Sequence, residues 1–475
     1  MRFLSLSKKR IASIGVFAAV IAFTPFTSEA QLQLKIPDMF PFINSSGISA
    51  THSTSGNGQI DTSGPFFQSL GANGRSCFSC HRPDQGWSIS ADAMKVLFAL
   101  TGGRDPVFRP VDGAVCDHGI DTSTLAGRIR AYRLLTSRGV LRIAIDVPAN
   151  ADFRVVSVEN PYGCNSTSTL SMYRRPLPAA NLKFLTTVMW DGRESTPPDT
   201  QSINYVTNPA DLMADLAHQA AGAVAGHAQG ATPLSPELQQ QIVDFESHLF
   251  TAQKLDFGAG ELDSGGATGG PKALAEQEFF VGINDPIGGN PHGAPFTSEV
   301  FSLYKSWSQG HGFGGAARAS VARGEEVFNT KPIKITNVRG LNDALNSPVI
   351  MGTCGTCHSS PNVGDHSLSL PVDVGVADPA NPLGVRYLPV ITLQNIATGE
   401  IVRTTDPGRA LISGKFADIG KFKGPILRGL AARAPYFHNG SAESLDDVVD
   451  FYNMRFSIGL THQERADLIA FLKTL

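Results

Sequence analysis

Apolar positions recur at helical spacing in two neighbouring runs, Asp211 to Ala225 and Ser235 to Thr251. Pro236 stands just inside the start of the second, where its missing N–H is no loss. The same period returns from about Ser320, where Val321, Gly324, Val327 and Phe328 keep to one face, and in Thr461 to Leu475 through Leu468, Ile469 and Leu472. Gly139 to Val147 and Phe153 to Val158 instead alternate apolar and polar residues, as strands do. Residues 31–65 are rich in Ser, Gly, Thr and Asn and read as an irregular lead-in, and Gly258 to Gly270 as a loop. The pattern predicts a mainly α chain with a small β insertion over residues 97–170.

The first thirty residues stand apart. Lys8, Lys9 and Arg10 precede the apolar run Ile11 to Phe23, and Ser28-Glu29-Ala30 supplies small residues at cleavage positions, so residues 1–30 read as a signal peptide and the mature chain as starting near Gln31. Export to the bacterial periplasm is the expectation. Over 475 residues the formal net charge is only −3. A nucleic-acid binder needs a basic surface to displace counterions, so that class is excluded.

Four of the six cysteines fall in two copies of one pattern, Cys77-Phe78-Ser79-Cys80-His81 and Cys354-Gly355-Thr356-Cys357-His358. C-x-x-C-H is the attachment signature of c-type haem: two thiols add to the porphyrin vinyl groups and the histidine reaches the iron. A thioredoxin-like pair needs no histidine. With 12 His in 475 residues, chance places one after a given pair roughly once in forty. A four-cysteine zinc site keeps its pairs about 15–20 residues apart, and these lie in separate halves of the chain. Two covalently bound haems c are therefore expected. Cys116 and Cys164 remain, and in an oxidising compartment they read as one disulfide pinning the insertion.

The order of haem motif, Trp190-Asp191-Gly192-Arg193, second haem motif and Ala434-Pro435-Tyr436-Phe437-His438-Asn439-Gly440 resembles the bacterial di-haem cytochrome c peroxidases, including their quinone-cofactor-maturing relatives. The resemblance covers about residues 65–95 and 170–475. It implies two cytochrome c-like domains: residues 31–300 with the peroxide-reacting haem on His81, and residues 301–475 with an electron-transfer haem on His358. It places Trp190 between the haems. It also implies a glutamine, here Gln201, followed by V-x-N-P-x-E, here Val206-Thr207-Asn208-Pro209-Ala210-Asp211 with Asp for Glu. A carboxylate there moves a proton between peroxide oxygens; Asp211 alternatively caps its helix, and His218 and His227 are rival bases.

The sixth ligand of the second haem is open between two residues. Composition favours Met454, because Met351 lies too close to its own haem motif. Alignment on the run from Leu445 places Tyr452 there, as in the quinone-maturing relatives. The family's interdomain calcium site is left open, since Arg175-Pro176-Leu177-Pro178 has proline where asparagine is expected, although the carbonyls of Arg433 and Pro435 could contribute. The resemblance implies a peroxidase reducing hydrogen peroxide with electrons from a small redox protein, with homodimerisation open. Two other classes stay in view: an oxidase acting on a protein or organic substrate, and a pure electron-transfer cytochrome.

Overall fold

The computed structural model describes residues 35–55, 58–195, 208–287, 290–310, 314–368 and 370–475. The signal segment and Gln201 lie outside the described residues. Among the described residues the chain forms ten α-helices and five small sheets, so it is a mixed α and β molecule rather than a mainly α one. The excess of strand arises in two places where hydropathy is a poor guide.

The lead-in is one of them. Gly47–Ser53 is an inner strand of a four-stranded antiparallel sheet, paired with Phe42–Ile43 on one side and Leu249–Asp256 on the other. Its inward side chains are polar but satisfied: Trp87 Nε1 donates to Thr51 Oγ1 at 2.8 Å, and Thr51 and Thr251 hydroxyls lie 2.6 Å apart. The partner strand begins where a helix was expected to run on, because the helix Pro236–Ser247 ends at His248.

The insertion is the other. Its two expected strands do not pair with each other. Leu141–Asp146 pairs with Thr169–Arg174, whereas Phe153–Glu159 joins Val390–Asn395 and Ile401–Thr404 of the C-terminal half. The insertion is therefore a strap between halves rather than an appendage of the first. It also holds the helices Leu125–Ala131 and Arg133–Arg138, and Cys116 is bonded to Cys164.

The C-terminal half closes around Gly315–Thr330, Leu445–Phe456 and His462–Leu472, with Phe301, Phe328, Val449 and Phe471 in its core. Ala259, Leu262 and Ala267 pack into that same core, ahead of the expected boundary at residue 300. No described helix is long and apolar enough to cross a membrane.

Candidate haem centres

Both cysteine motifs fold into one short turn. A serine or threonine stands before each, and the backbone N–H of Ser76 and of Thr353 donates to Ser79 Oγ and Thr356 Oγ1 at 3.1 and 3.0 Å. The turn then brings the histidine N–H back onto the first cysteine carbonyl, His81 to Cys77 and His358 to Cys354. These flanking residues escaped the sequence reading, although their Ser/Thr-x-x-Ser/Thr spacing repeats visibly around both motifs.

Each motif histidine is held in one tautomer. His81 Nδ1 lies 3.0 Å from the carbonyl of Trp87 and His358 Nδ1 2.6 Å from that of Gly364. A carbonyl only accepts, so Nδ1 carries the proton and Nε2 keeps its lone pair. Burial pushes both imidazoles down to about 4, holding them neutral. Neutral imidazole with its far nitrogen anchored is what an axial iron ligand requires.

The four motif thiols are not bonded to one another, and burial raises all of them, Cys80 and Cys357 to about 11 and Cys354 to about 12. Among the described residues the one metal-like grouping, Cys116, Asp117, His118 and Cys164, has both sulfurs already in the disulfide. With an imidazole anchored beside each thiol pair and no such grouping at either motif, the residues present fit haem.

A cavity of about 220 Å³ opens at the second motif. Cys354, Cys357, His358 and Tyr452 line it together with Trp190 and His438. Desolvation, and then the two thiols beside it, drive the phenol of the half-buried Tyr452 well above the ordinary range. Met454 is 54% exposed, Met351 is 68% exposed, and neither lines the cavity. The geometry does not bring Met454 to the iron site. Trp190 Nε1 donates to the Arg175 carbonyl at 2.8 Å, and its ring meets His438 edge-on at 6.2 Å. His438 in turn stacks on Phe422 at 3.9 Å.

Around the first motif the candidates separate. His218 is exposed, with Nδ1 2.6 Å from Glu194 Oε2. His227 pairs through Nδ1 with the buried Asp112, which Arg75 also holds, and it is close enough to His81 to lower that imidazole's basicity. Asp211 sits in the first turn of Pro209–Gly226, where Asn208 caps the helix and its Nδ2 donates to Asp211 Oδ2 at 2.7 Å. Sequence reading did not find Asp112, which is 115 residues from its imidazole partner. The carbonyl of Arg433, offered for calcium, accepts 2.7 Å from the buried Arg175 guanidinium. A cation already stands at that oxygen.

No family model matches the chain. It is 36% identical over 135 residues to Cytochrome-c peroxidase IdrP2 of Denitromonas iodatirespirans, covering 26% of this chain and 36% of that one. It is 28% identical over 167 residues to Cytochrome c551 peroxidase of Nitrosomonas europaea, covering 33% and 42% respectively. The matches thus span well under half the length of these relatives. A solved MauG-like protein associated with microbial copper homeostasis is 17% identical at a TM-score of 0.27, covering 67% of this chain and 77% of that one. Kinship with the cytochrome c peroxidases, read first from motif order, is supported by these curated relatives.

Proposed function

We propose, taking the chain as a relative of the cytochrome c peroxidases, that it is an exported di-haem enzyme that reduces hydrogen peroxide. The reaction is H2O2 + 2 e⁻ + 2 H⁺ → 2 H2O, with the electrons from a small redox protein. The observation that carries this reading is the paired state of His81 and His358: both neutral, both anchored at Nδ1, both beside unpaired thiols. Cys77 and Cys80 would hold one haem c and Cys354 and Cys357 the other. Bound haem supplies the one-electron chemistry and the iron at which peroxide reacts.

The chain's own residues divide the remaining work. His81, anchored at Nδ1, would hold the iron of the peroxide-reacting haem through Nε2. His227, oriented by Asp112, can hold or release a proton at Nε2, as a base positioned by a carboxylate does. Asp211 and Gln201 belong to the segment that follows Trp190 and are the other proton-handling candidates. His218 is directed to Glu194 and is the weaker one. Trp190 borders the second haem's cavity and offers an indole for electron passage toward the first. Tyr452 lines the cavity with Cys354, Cys357 and His358 and would be the candidate second ligand of that haem's iron.

That tyrosine also favours a second reading. A phenolate ligand stabilises oxidised iron, which suits an oxidase that stores oxidising equivalents for a protein or organic substrate. The two readings part in one experiment: periplasmic holoprotein is given peroxide with a reduced c-type cytochrome, and turnover is followed with haem counted per chain. Two haems and sustained donor oxidation are expected. Two haems that consume peroxide without oxidising the donor would favour the oxidase, and two haems inert to peroxide would leave a pure electron-transfer cytochrome.

A further inference from the structure

The cavity at the second motif has a lopsided charge. Its lining includes Arg175, Lys423 and Arg433, and not one aspartate or glutamate among the described residues. All three cations are buried, at 6, 6 and 9% exposure. Buried charge is costly unless paired. Arg175 answers this by donating to backbone carbonyls of Arg138, Ile89 and Arg433. Arg433 does so only in part: its Nη2 reaches the carbonyl of Ile426, but its Nε has no acceptor. Lys423 donates its backbone N–H to the Trp190 carbonyl, and its side chain has Asp365, in a neighbouring polar niche, as a countercharge outside the cavity lining. His438 Nε2 is a second buried nitrogen without a partner, its closest carboxylate oxygen, Asp406 Oδ2, lying 3.9 Å away. Asp406 is already engaged twice by Arg174. Burial lowers Lys423 to about 8, with Asp365 opposing the shift, and lowers Arg433 to about 10.

We propose that Lys423, Arg433 and His438 hold the two carboxylates of the porphyrin attached at Cys354 and Cys357. This rests on the second haem of the preceding section and adds which edge of it faces where. Thioether linkage ties one edge of the macrocycle to the cysteines, and its two propionates lie on another. An anionic group with two carboxylates, in a cavity whose lining supplies cations and no anions, satisfies the orphaned Arg433 Nε and His438 Nε2 and meets the charge of Lys423. The anchor also has a location. A Cβ on Gly86 would lie 3.7 Å from Arg433 Cδ, five residues beyond His81, and Lys423 N–H donates to the Trp190 carbonyl. The propionate edge of the second haem therefore faces the first-haem half and Trp190.

The test uses the holoprotein, with the reduction potential of each haem and the propionate bending bands in resonance Raman as readouts. Lys423→Met removes positive charge from beside the carboxylates. The ferric-to-ferrous ratio of the second haem should move about tenfold toward ferric, ~59 mV for one electron, with the bending bands shifted and the first haem unmoved. Lys423→Arg should restore both. Arg433→Gln should act in the same direction; if it fails to accumulate, the Lys423 pair decides alone. Unchanged potential and bands in Lys423→Met, with two haems retained, overturn the proposal. So does a wild-type second-haem potential that tracks inorganic phosphate, which would mark a site for a soluble anion. One haem per chain in the wild type would instead fail the underlying two-haem reading.

Discussion

Tyr452 and Met454 stand two residues apart on the helix Leu445–Phe456, about 200° apart around its axis, so one faces the cavity and the other does not. Tyr452→Phe should therefore change the absorption and electron paramagnetic resonance spectra of the second haem, and Met454→Leu should leave them as they were. Equal spectra in Tyr452→Phe would remove tyrosine ligation. Trp190→Phe keeps an aromatic ring but loses the donor to the Arg175 carbonyl. If the indole carries electrons, donor-dependent peroxide turnover should fall about tenfold or more, ~1.4 kcal/mol of barrier, with both haem spectra intact. Unaltered turnover would reduce Trp190 to packing. Glu246 is a third residue with a definite expectation. It is buried beside Cys77, and desolvation raises its carboxyl from 4.5 to about 8. The folded state holds this proton more tightly than the unfolded chain does. The stability contributed by Glu246 is therefore fully present below about pH 4.5 and is lost as pH rises through about 8, by up to ~1.4 kcal/mol per unit between. Denaturant unfolding at pH 5 and pH 8 should show that slope, and Glu246→Gln should flatten it.

At the scale of elements, helices Gly315–Thr330 and His462–Leu472 approach so closely that a Cβ on Gly324 would lie 2.0 Å from the Asp467 carbonyl oxygen and 2.7 Å from Phe471 Cβ. Both obstacles are rigid. Gly324→Ala should force the helices apart and cost about 1–3 kcal/mol, read as a lower denaturation midpoint. An unchanged midpoint would mean that the pair slides freely. These two helices were legible in the sequence because their apolar faces repeat every three to four residues and pack locally. The strand Gly47–Ser53 was not, because Ser49, Thr51 and Ser53 are buried through hydrogen bonds rather than apolarity. Phe153–Glu159 was legible as a strand but not in its partner, more than two hundred residues away. The site divides on the same line. Haem motifs are contiguous and chemically rigid, so spacing alone exposes them, and Trp190 rides on a short motif. Lys423, Arg433 and Asp112 carry no local signature, since what matters about them is which distant group they face.

Over the whole molecule, Arg174 is the joint between distant segments. Its guanidinium bonds Asp191, next to Trp190, and takes Asp406 with two contacts at 2.7 and 2.8 Å. All three side chains are at most 3% exposed. The carboxylates hold Arg174 charged despite its burial, and Arg174 with Arg193 keeps Asp191 below the ordinary carboxylate range. Arg174 also ends the strand paired with Leu141–Asp146, while Asp406 follows the strand Ile401–Thr404, whose sheet takes in Phe153–Glu159. Two ties thus run between the N-terminal and C-terminal halves, one ionic through Arg174 and one a strand ladder through the insertion. A chain joined this way should unfold as one unit. Removing one partner leaves buried charge uncompensated, which typically costs about 3–5 kcal/mol, whereas replacing every member with apolar groups is often nearly neutral. Asp406→Asn should accordingly lower the melting temperature sharply, with ellipticity and second-haem absorbance lost together. The combination Arg174→Met, Asp191→Leu and Asp406→Leu should recover much of that loss. A triple variant no more stable than Asp406→Asn would show that the network sets local geometry at Trp190 rather than neutralising charge. Two separate transitions in the wild type would show that the strap does not couple the halves.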